Sequence, residues 1–354
     1  MKILVLGGTG AMGTSLVDLL SKNNENDVIV TTRQKIYSTK KNLKYVTGNA
    51  MDFEFIKQLI NEVYDAIIDY MVYEVDDLEN RLSFYLTWTK QYFFFSSCRC
   101  FADSNCPINE KSSKLIDACN DTYYLNSNEY AIKKCREEEL FKKIKRKNWT
   151  IVRPYITYNI NRLQLGTFEK EQWLKKVLCD KEIIFPMDIG EKYTTITYGE
   201  DVSKLVIKLI GNKKAYGESI NITTSEYHKW NEILQYYKTI IENKTGKKIK
   251  IKYINNSDSL SKVWKPEQIK YDRLYNRIFS NDKLYSIVGE YEFKKVFEGL
   301  EGCVSQFIEN PTWIEDKNWR FEGWYDRKTK NFTRLSEIKG VKSKIKYILY
   351  RFLI

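Results

Sequence analysis

The sequence contains a single histidine, His228. This scarcity disfavours acid–base catalysis by histidine and a metal site built from several histidines, and no metal is expected. The seven cysteines are odd in number and scattered, which argues against a disulfide framework and favours a reducing, cytoplasmic setting. No apolar run approaches the roughly 18 residues of a membrane span. The apolar run at residues 3–6 is also too short for a signal peptide.

The charge is unbalanced, with 58 basic against 46 acidic residues and a net charge of +12. A basic excess suits nucleic acid, an anionic membrane surface or a phosphorylated small substrate. The excess has a second explanation that involves no partner. The chain is rich in Lys, Asn, Ile and Tyr, as proteins encoded by AT-rich DNA are, and such a proteome is basic as a whole. No RNA-reading motif is present, so a nucleic-acid partner is not expected.

The clearest local pattern lies in the first twenty residues. Residues 3–6 form an uncharged apolar run, which predicts a strand buried on both faces. A turn containing Gly7, Gly10 and Gly13 follows, and then a helix over residues 14–20. Strand, glycine turn and helix in this order form a dinucleotide-binding fingerprint. The first glycine makes the turn, the second lets a pyrophosphate approach, and the third brings helix and strand together.

The first half of the chain alternates between strands and helices. Further strands are predicted at residues 28–30, 43–46, 66–68, 92–95 and 149–152, with helices at 55–63 and 128–146. This alternation predicts a doubly wound parallel sheet of the Rossmann type, an α/β fold that binds ligands at the carboxyl ends of its strands. Beyond Pro154 we predict helices at 170–179 and 201–209, a strand at 193–197, and mainly helix from about residue 227.

These patterns predict two domains. Residues 1–155 and 186–224 form the NAD(P)-binding Rossmann domain, and residues 156–185 and 225–336 form a smaller, mainly helical substrate-binding domain. Residues 337–354 form a basic amphipathic tail.

A second motif places Tyr130 four residues before Lys134. In a helix this spacing puts both side chains on one face. A neighbouring ammonium favours the phenolate and lowers the tyrosine pKa from about 10, so that the tyrosine can act as general acid or base. The spacing also arises by chance in a chain with 26 tyrosines, and its weight comes from its position after the strand that ends before Ser96 and Ser97.

Together, the three spaced glycines, the Ser96-Ser97 pair, Tyr130-x-x-x-Lys134 and Arg153-Pro154 resemble the extended short-chain dehydrogenases/reductases. They are most similar to the NAD-dependent epimerase/dehydratase family, typified by UDP-galactose epimerase. The resemblance covers roughly residues 1–310.

The resemblance implies roles for individual residues. Ser97 would bind the reacting oxygen, Tyr130 would donate or accept the proton, and Lys134 would hold the nicotinamide ribose. Pro154 would lie in the loop beside the nicotinamide, and Arg162 and Arg277 would hold the pyrophosphate of the substrate. The implied cofactor-binding residues are Gly7, Thr9, Gly10, Ala11, Met12, Gly13, Thr32, Arg33, Asn49, Tyr130, Lys134 and Pro154.

The sequence departs from the family pattern in three places. Thr32 and Arg33 replace the acid that grips the ribose 2′-hydroxyl of NAD, and an arginine there favours NADP, with NAD as the alternative. Asn49 stands where an aspartate usually faces the adenine. Cys98 and Arg99 replace the Asp-Glu pair of sugar dehydratases, which disfavours water elimination.

The implied function is an NAD(P)-dependent epimerase or reductase that acts on a nucleotide-activated sugar, with hydride transfer at nicotinamide C4 and a homodimeric assembly. The alternative is a non-catalytic NAD(P)-binding regulator or an RNA-binding descendant of the same fold. Such descendants commonly lose the catalytic tyrosine, which this chain retains.

The tail lies outside the resemblance. It interleaves five basic residues with bulky apolar ones: Lys339, Lys342, Lys344, Lys346 and Arg351 with Ile345, Ile348, Leu349, Phe352, Leu353 and Ile354. This pattern is typical of an interfacial helix that makes peripheral membrane contact. It also fits a helix docked on its own domain or on a dimer partner.

Overall fold

A computed structural model describes residues 1–314 and 317–353. The side chain of Leu353 and the residue Ile354, both assigned to the apolar side of the tail, lie outside the described residues.

The strands are β1 (Lys2–Leu6), β2 (Asp27–Thr32), β3 (Leu43–Thr47), β4 (Ala66–Asp69), β5 (Tyr92–Phe95), β6 (Trp149–Pro154), β7 (Ile156–Tyr158), β8 (Ile183–Pro186), β9 (Tyr193–Thr194), β10 (Ile196–Tyr198), β11 (Glu218–Ile222), β12 (His228–Lys229) and β13 (Ile251–Ile254).

The helices are α1 (Gly13–Lys22), α2 (Phe53–Leu59), α3 (Val75–Thr87), α4 (Leu115–Ala118), α5 (Thr122–Leu125), α6 (Tyr130–Lys143), α7 (Leu174–Leu178), α8 (Met187–Gly190), α9 (Gly199–Leu209), α10 (Trp230–Thr245), α11 (Asp258–Ser261), α12 (Pro266–Gln268), α13 (Asp282–Val288), α14 (Val296–Glu309), α15 (Trp319–Thr329) and α16 (Val341–Ile348). A 3₁₀ turn spans Cys98–Cys100, and a π-helical turn, Leu349–Leu353, continues α16.

A seven-stranded sheet in the order β11-β6-β5-β4-β1-β2-β3 organises the first part of the chain. Every neighbouring pair in it is parallel. The order runs outward in both directions from β1 and β4, as in a doubly wound fold. The predicted Rossmann-type α/β class is therefore confirmed.

The sheet is covered on both faces because its strands are apolar on both sides. Ile3 and Val5 pack in one core with residues of α1 and α9, whereas Leu4 and Leu6 pack in a second core with residues of α2, α3 and α6. Parallel strands of this kind carry their ligand-binding loops along one edge.

The chain divides into two compact units. The first contains residues 1–159, 195–226 and 278–296, and the second contains 160–194, 227–277 and the residues from Phe297 onward. The division differs from the predicted one chiefly at 278–296, because α13 packs against β11 and α9 of the first unit. The tail lies in the second unit, where it packs against α15.

Several boundaries differ from prediction. The helix expected at 55–63 is α2, which begins earlier because the Asp52 carboxylate accepts hydrogen bonds from the backbone N–H groups of Glu54 and Phe55. It ends at Leu59, four residues before the predicted end, and Val63 lies outside it and is half exposed.

The long helix predicted at 128–146 is α6, with Glu129 as its N-cap. The helix predicted at 170–179 is the shorter α7, and the strand predicted at 193–197 is split into β9 and β10. Helix α3 and strand β11 were not predicted. Within the described residues, no helix is both long and apolar enough to cross a membrane.

Candidate active site at the carboxyl edge of the sheet

The glycine turn after β1 has the conformation that its sequence predicts. Gly7 has a φ of +70°, a backbone conformation that favours glycine, and its N–H donates to the Thr31 hydroxyl at 3.0 Å. A Cβ on Gly13 would lie 2.6 Å from the Gly8 Cα. Gly13 therefore allows the start of α1 to pack closely against the glycine turn. A Cβ on Gly10 would have only the Gly7 carbonyl oxygen nearby, at 3.7 Å.

The N-terminus of α1 therefore faces an uncrowded turn. No side chain caps this helix, and its first turn contains no acidic residue. Uncapped N–H groups and the partial positive charge of the helix form an anion site. The turn thus fits the pyrophosphate of a dinucleotide.

A cavity of about 860 Å³ opens beside this turn. Its lining combines the turn and α1 with the segment after β2, and includes Gly8, Thr9, Thr14, Asp18, Thr32, Arg33, Gln34, Ser38, Thr39 and Lys40. Thr32 is buried, and its hydroxyl is bonded to the backbone of Gln34. Arg33 is exposed, and no carboxylate among the described residues pairs with it. The cavity accordingly offers a free cation at the position where the family pattern has an acid.

The other predicted cofactor residues lie around this turn. Thr9 is exposed, and the Ala11 carbonyl accepts a hydrogen bond from the Asn159 amide. Met12 packs against the core that contains α1. The Asn49 side chain accepts the Met51 N–H at 3.1 Å, which leaves its amide N–H groups for a ligand.

An ion pair links the turn that follows Ser97 to the residue that precedes Tyr130. Ser97 follows β5, and its hydroxyl accepts the Arg99 N–H at 3.2 Å. The Arg99 guanidinium bonds to the Glu129 carboxylate at 2.6 Å, directly before Tyr130 at the start of α6. The guanidinium also lies 5.4 Å from the centroid of the Tyr130 ring.

Sulfur contacts reinforce this junction. The Cys135 thiol donates to the Cys100 carbonyl at 3.5 Å, which ties the turn after Ser97 to α6. Tyr130 is partly exposed, so its phenol can reach a ligand, whereas Ser97 is almost buried. Ser97 and Tyr130 therefore both lie at the junction between the turn after β5 and the start of α6, at the sheet edge that carries the glycine turn.

Lys134 does not lie on an open surface. Its side chain is 1% exposed, and its ammonium lies 2.9 Å from a carboxylate oxygen of Glu137, which is itself fully buried. The ammonium lies 4.5 Å from the centroid of the Phe94 ring and 6.0 Å from that of Tyr130. Burial raises the pKa of Glu137, an effect that the charge of Lys134 opposes.

A second buried carboxylate ends β4. Asp69 accepts hydrogen bonds from the Tyr92 hydroxyl at 2.7 Å, the Tyr73 hydroxyl at 3.0 Å and the Met71 N–H at 2.8 Å. Burial raises the pKa of Asp69 to about 6, although these hydrogen bonds and the charge of Lys134 lower it.

A third carboxylate anchors β6 to α6. Glu138 accepts two hydrogen bonds from Arg153, at 2.7 and 2.6 Å, and one from Lys114 at 2.5 Å. Burial alone would raise the pKa of Glu138, but the two cations outweigh burial and lower it to about 2. Pro154 follows as the last residue of β6, paired with Ile222, and is not part of the expected loop.

The two predicted substrate arginines lie in the second unit and bind different carboxylates. Arg277 is fully buried, and its Nε bonds to Asp272 at 3.0 Å. The side chain of Arg162 is about one third exposed and lies 3.6 Å from Glu169.

Comparison with known proteins identifies the family. Residues 3–223 match the NAD dependent epimerase/dehydratase family. The chain belongs to that family. The resemblance that the sequence motifs suggested is therefore confirmed, and the chain is an enzyme of the extended short-chain dehydrogenase type. A search of curated proteins finds no match.

Solved structures of this family share the fold at low sequence identity. UDP-glucuronic acid 4-epimerase from Bacillus cereus, in complex with UDP-glucuronic acid and NAD, has a TM-score of 0.66 at 16% identity, over 88% of this chain and 100% of that one. dTDP-glucose 4,6-dehydratase from Bacillus anthracis, in complex with NAD, has a TM-score of 0.66 at 17% identity, over 89% and 99%. UDP-N-acetylglucosamine 4-epimerase from Methanobrevibacter ruminantium has a TM-score of 0.63 at 18% identity, over 87% and 98%. The structures from Bacillus cereus and Bacillus anthracis hold NAD, and the family that this chain matches is described as NAD dependent.

Sequence reasoning missed several residues that shape this family site. Asp69 is one of them, and its only signal was a charged residue at the end of an apolar run. Glu137 is another, and it gave no signal because it lies in a charged run at residues 136–139. Glu129 could have been found, since an acidic residue in the first turn of a predicted helix marks its N-terminus.

Proposed function

We propose that this family member is an NAD(P)-dependent epimerase or reductase that acts on a nucleotide-activated sugar. The observation that carries the proposal is the junction of Ser97 and Tyr130, held by Arg99 and Glu129 at the edge of the sheet that carries the glycine turn. The sugar nucleotides named for the two related 4-epimerases support this substrate class.

The chain's own residues would position the substrate and move its proton. Tyr130 would accept a proton from a sugar hydroxyl and return it to the carbonyl oxygen. Ser97 accepts a hydrogen bond from Arg99 and keeps its own hydroxyl proton for the same oxygen. A bound nicotinamide would supply the hydride acceptor and donor at its C4 atom. Lys134 would act on Tyr130 through its charge, and binding to the ribose would require its release from Glu137.

Epimerisation or reduction fits the site better than water elimination. Arg99 stands where dehydratases of the family carry an acid, and its guanidinium is bonded to Glu129. A cation at this position cannot serve as the general base that elimination needs.

We propose NADP as the cofactor, with NAD as the alternative. Arg33 lines the cavity beside the glycine turn and has no carboxylate partner among the described residues. A guanidinium suits a 2′-phosphate through bidentate, charge-assisted hydrogen bonds. The NAD in the related structures belongs to those proteins, so this assignment rests on Arg33.

For the substrate we propose Arg162 and Arg277 as the phosphate ligands. Arg162 is the more accessible of the two. Arg277 is fully buried and bonded to Asp272, so its binding to a phosphate would require its release from that carboxylate.

The test begins with the purified protein. The bound nucleotide is released by heat and identified by mass spectrometry, and UDP- and dTDP-sugars are then incubated with the enzyme. Tightly held NAD⁺ and interconversion of 4-epimers indicate an epimerase, and exchangeable NADPH consumed with the sugar indicates a reductase. Cofactor binding with no conversion of any sugar nucleotide would contradict the proposal and favour the non-catalytic alternative.

A further inference from the structure

The C-terminal helix packs through one side only. Tyr347 of α16 is fully buried, and its hydroxyl donates to Asp326 of α15 at 2.8 Å and accepts the Thr333 N–H at 2.9 Å. A Cβ on Gly323 would lie 2.6 Å from the Tyr347 carbonyl oxygen, so the two helices are in close contact. This side of α16 belongs to the core of the second unit.

The opposite side of α16 is apolar and exposed. Val341, Ile345 and Phe352 are 73%, 51% and 58% exposed, and Ile348 is half-buried. Their spacing of three to four residues places them on one face of the helix and its π-helical continuation. We call these four residues the apolar stripe. Exposed apolar side chains arranged in a continuous stripe mark an interaction surface.

The charge around the apolar stripe has one sign. From the geometry of an α-helix, Lys342 and Lys346 lie along one side of the stripe, and Lys344 lies along the other. No acidic residue occurs between Ile338 and Phe352. A lysine beside an apolar stripe can bury its alkyl stem while its ammonium meets a polar headgroup.

We propose that the apolar stripe and its flanking lysines bind the surface of an anionic lipid bilayer. The stripe would enter the boundary between headgroups and acyl chains, and the lysines would contact the anionic headgroups. A second copy of this chain is a poorer occupant, because a two-fold interface places the same patch on both partners and would bring these lysines together. None of the stripe residues or flanking lysines is assigned to catalysis, and the proposal does not depend on the identity of the substrate.

The first test measures co-sedimentation of the full chain with phosphatidylcholine vesicles, with and without phosphatidylserine. We expect binding to the anionic vesicles alone. Lys342→Gln with Lys346→Gln should weaken binding about thirtyfold, at about 1 kcal/mol for each lysine near the surface. The control is Lys143→Gln with Lys145→Gln, two exposed lysines at the C-terminal end of α6, which should leave binding unchanged.

The second test removes the apolar contribution. Ile345→Ser with Phe352→Ser should weaken vesicle binding at least about tenfold, whereas Tyr123→Ser, at an 83% exposed aromatic elsewhere, should not. Because both tail side chains are exposed, the melting temperature should stay unchanged. If this variant fails to fold, vesicle binding by the lysine variant still tests the proposal. The proposal is overturned if the intact protein does not bind anionic vesicles, or if both tail variants bind these vesicles as tightly as wild type. A dimer that dissociates on Ile345→Ser with Phe352→Ser, without vesicle binding, would assign the stripe to a second copy.

Discussion

The ammonium of Lys134 lies 2.9 Å from the Glu137 carboxylate, and both side chains are almost wholly buried. The lysine of the Tyr-x-x-x-Lys motif therefore has a counter-ion three residues later on the same helix. Removing one partner of a buried ion pair leaves the other charge without compensation. The stability of α6, and of the site that begins with Tyr130, therefore depends on Glu137.

Glu137→Gln should lower the free energy of unfolding by about 3–5 kcal/mol, because it leaves the Lys134 ammonium buried and unpaired. The measurement is urea denaturation followed by circular dichroism. Glu139→Gln is the matched control on the same helix: Glu139 is one third exposed and pairs with Lys142, and its loss should cost less than about 1 kcal/mol. Equal losses of unfolding free energy for the two substitutions would show that the buried pair of Lys134 and Glu137 contributes no more to stability than an exposed pair.

Tyr130→Phe should reduce turnover at least about a hundredfold while cofactor affinity is retained, because only the proton-transferring hydroxyl is lost. Steady-state kinetics and calorimetry measure the two quantities. Tyr123→Phe, at an exposed position in α5, should change neither. Lys134→Ala should reduce both. Near wild-type turnover of the phenylalanine variant on the true substrate would remove Tyr130 from the catalytic assignment.

Local patterns predicted the sheet well. Strand β5 matches its predicted residues 92–95, because four consecutive aromatic residues bounded by polar ones can only be a buried strand here. The strand, glycine turn and α1 were also predicted, since each carries its own sequence signal. Boundaries failed where a capping side chain decided them, as at Asp52 and Glu129.

Partners distant in sequence were not predictable. Arg153 follows Glu138 by fifteen residues, and Tyr92 follows Asp69 by twenty-three, so no periodicity joins them. The location of Tyr130 and Lys134 on one helix was predicted, but the burial of Lys134 against Glu137 was not, because it depends on how α6 packs on the sheet. The exposed stripe of the tail became visible only once the docked side of α16 was known.

Arg33 should give the enzyme a preference for NADPH over NADH of about 1–3 kcal/mol, the contribution of a charge-assisted contact to the 2′-phosphate. Isothermal calorimetry with each nucleotide measures it, and Arg33→Ala should abolish the difference. Lys35→Ala is the control, since Lys35 lies over the Tyr37 ring and should contribute little. Equal affinities of the wild-type enzyme for the two nucleotides would contradict the role of Arg33.

Two glycines of the turn after β1 have different roles, Gly13 in packing and Gly10 in cofactor binding. Gly13→Ala should destabilise the protein and weaken cofactor binding, because its Cβ would overlap the backbone of Gly8. Gly10→Ala should leave thermal melting nearly unchanged, since its Cβ has room, but should weaken cofactor binding by obstructing the pyrophosphate. Thermal melting and fluorescence titration distinguish the two. A Gly10 variant with unaltered affinity would mean that the cofactor does not pass over this turn.

The contribution of Asp69 to the stability of the protein should fall as pH rises from about 4 to about 6. Burial raises the pKa of this carboxyl to about 6 in the folded state from 3.8 as the ordinary value. The folded state therefore holds the proton more tightly than the unfolded state, and its advantage is complete below the unfolded pKa and lost as pH rises through the folded pKa. A difference of two pKa units corresponds to about 3 kcal/mol.

Asp69→Asn cannot ionise, yet its amide can still accept the Met71 N–H and donate to the two tyrosine hydroxyls. Urea denaturation at about pH 4 and about pH 7 should show a smaller loss of stability in this variant than in wild type. Asp65→Asn is the control, because hydrogen bonds from Lys90 and the Lys2 N–H lower the pKa of Asp65 and it titrates below this window. If wild type and Asp69→Asn lose stability in parallel between these pH values, Asp69 is already ionised in the folded protein, and the hydrogen bonds from Tyr92, Tyr73 and Met71 outweigh its burial.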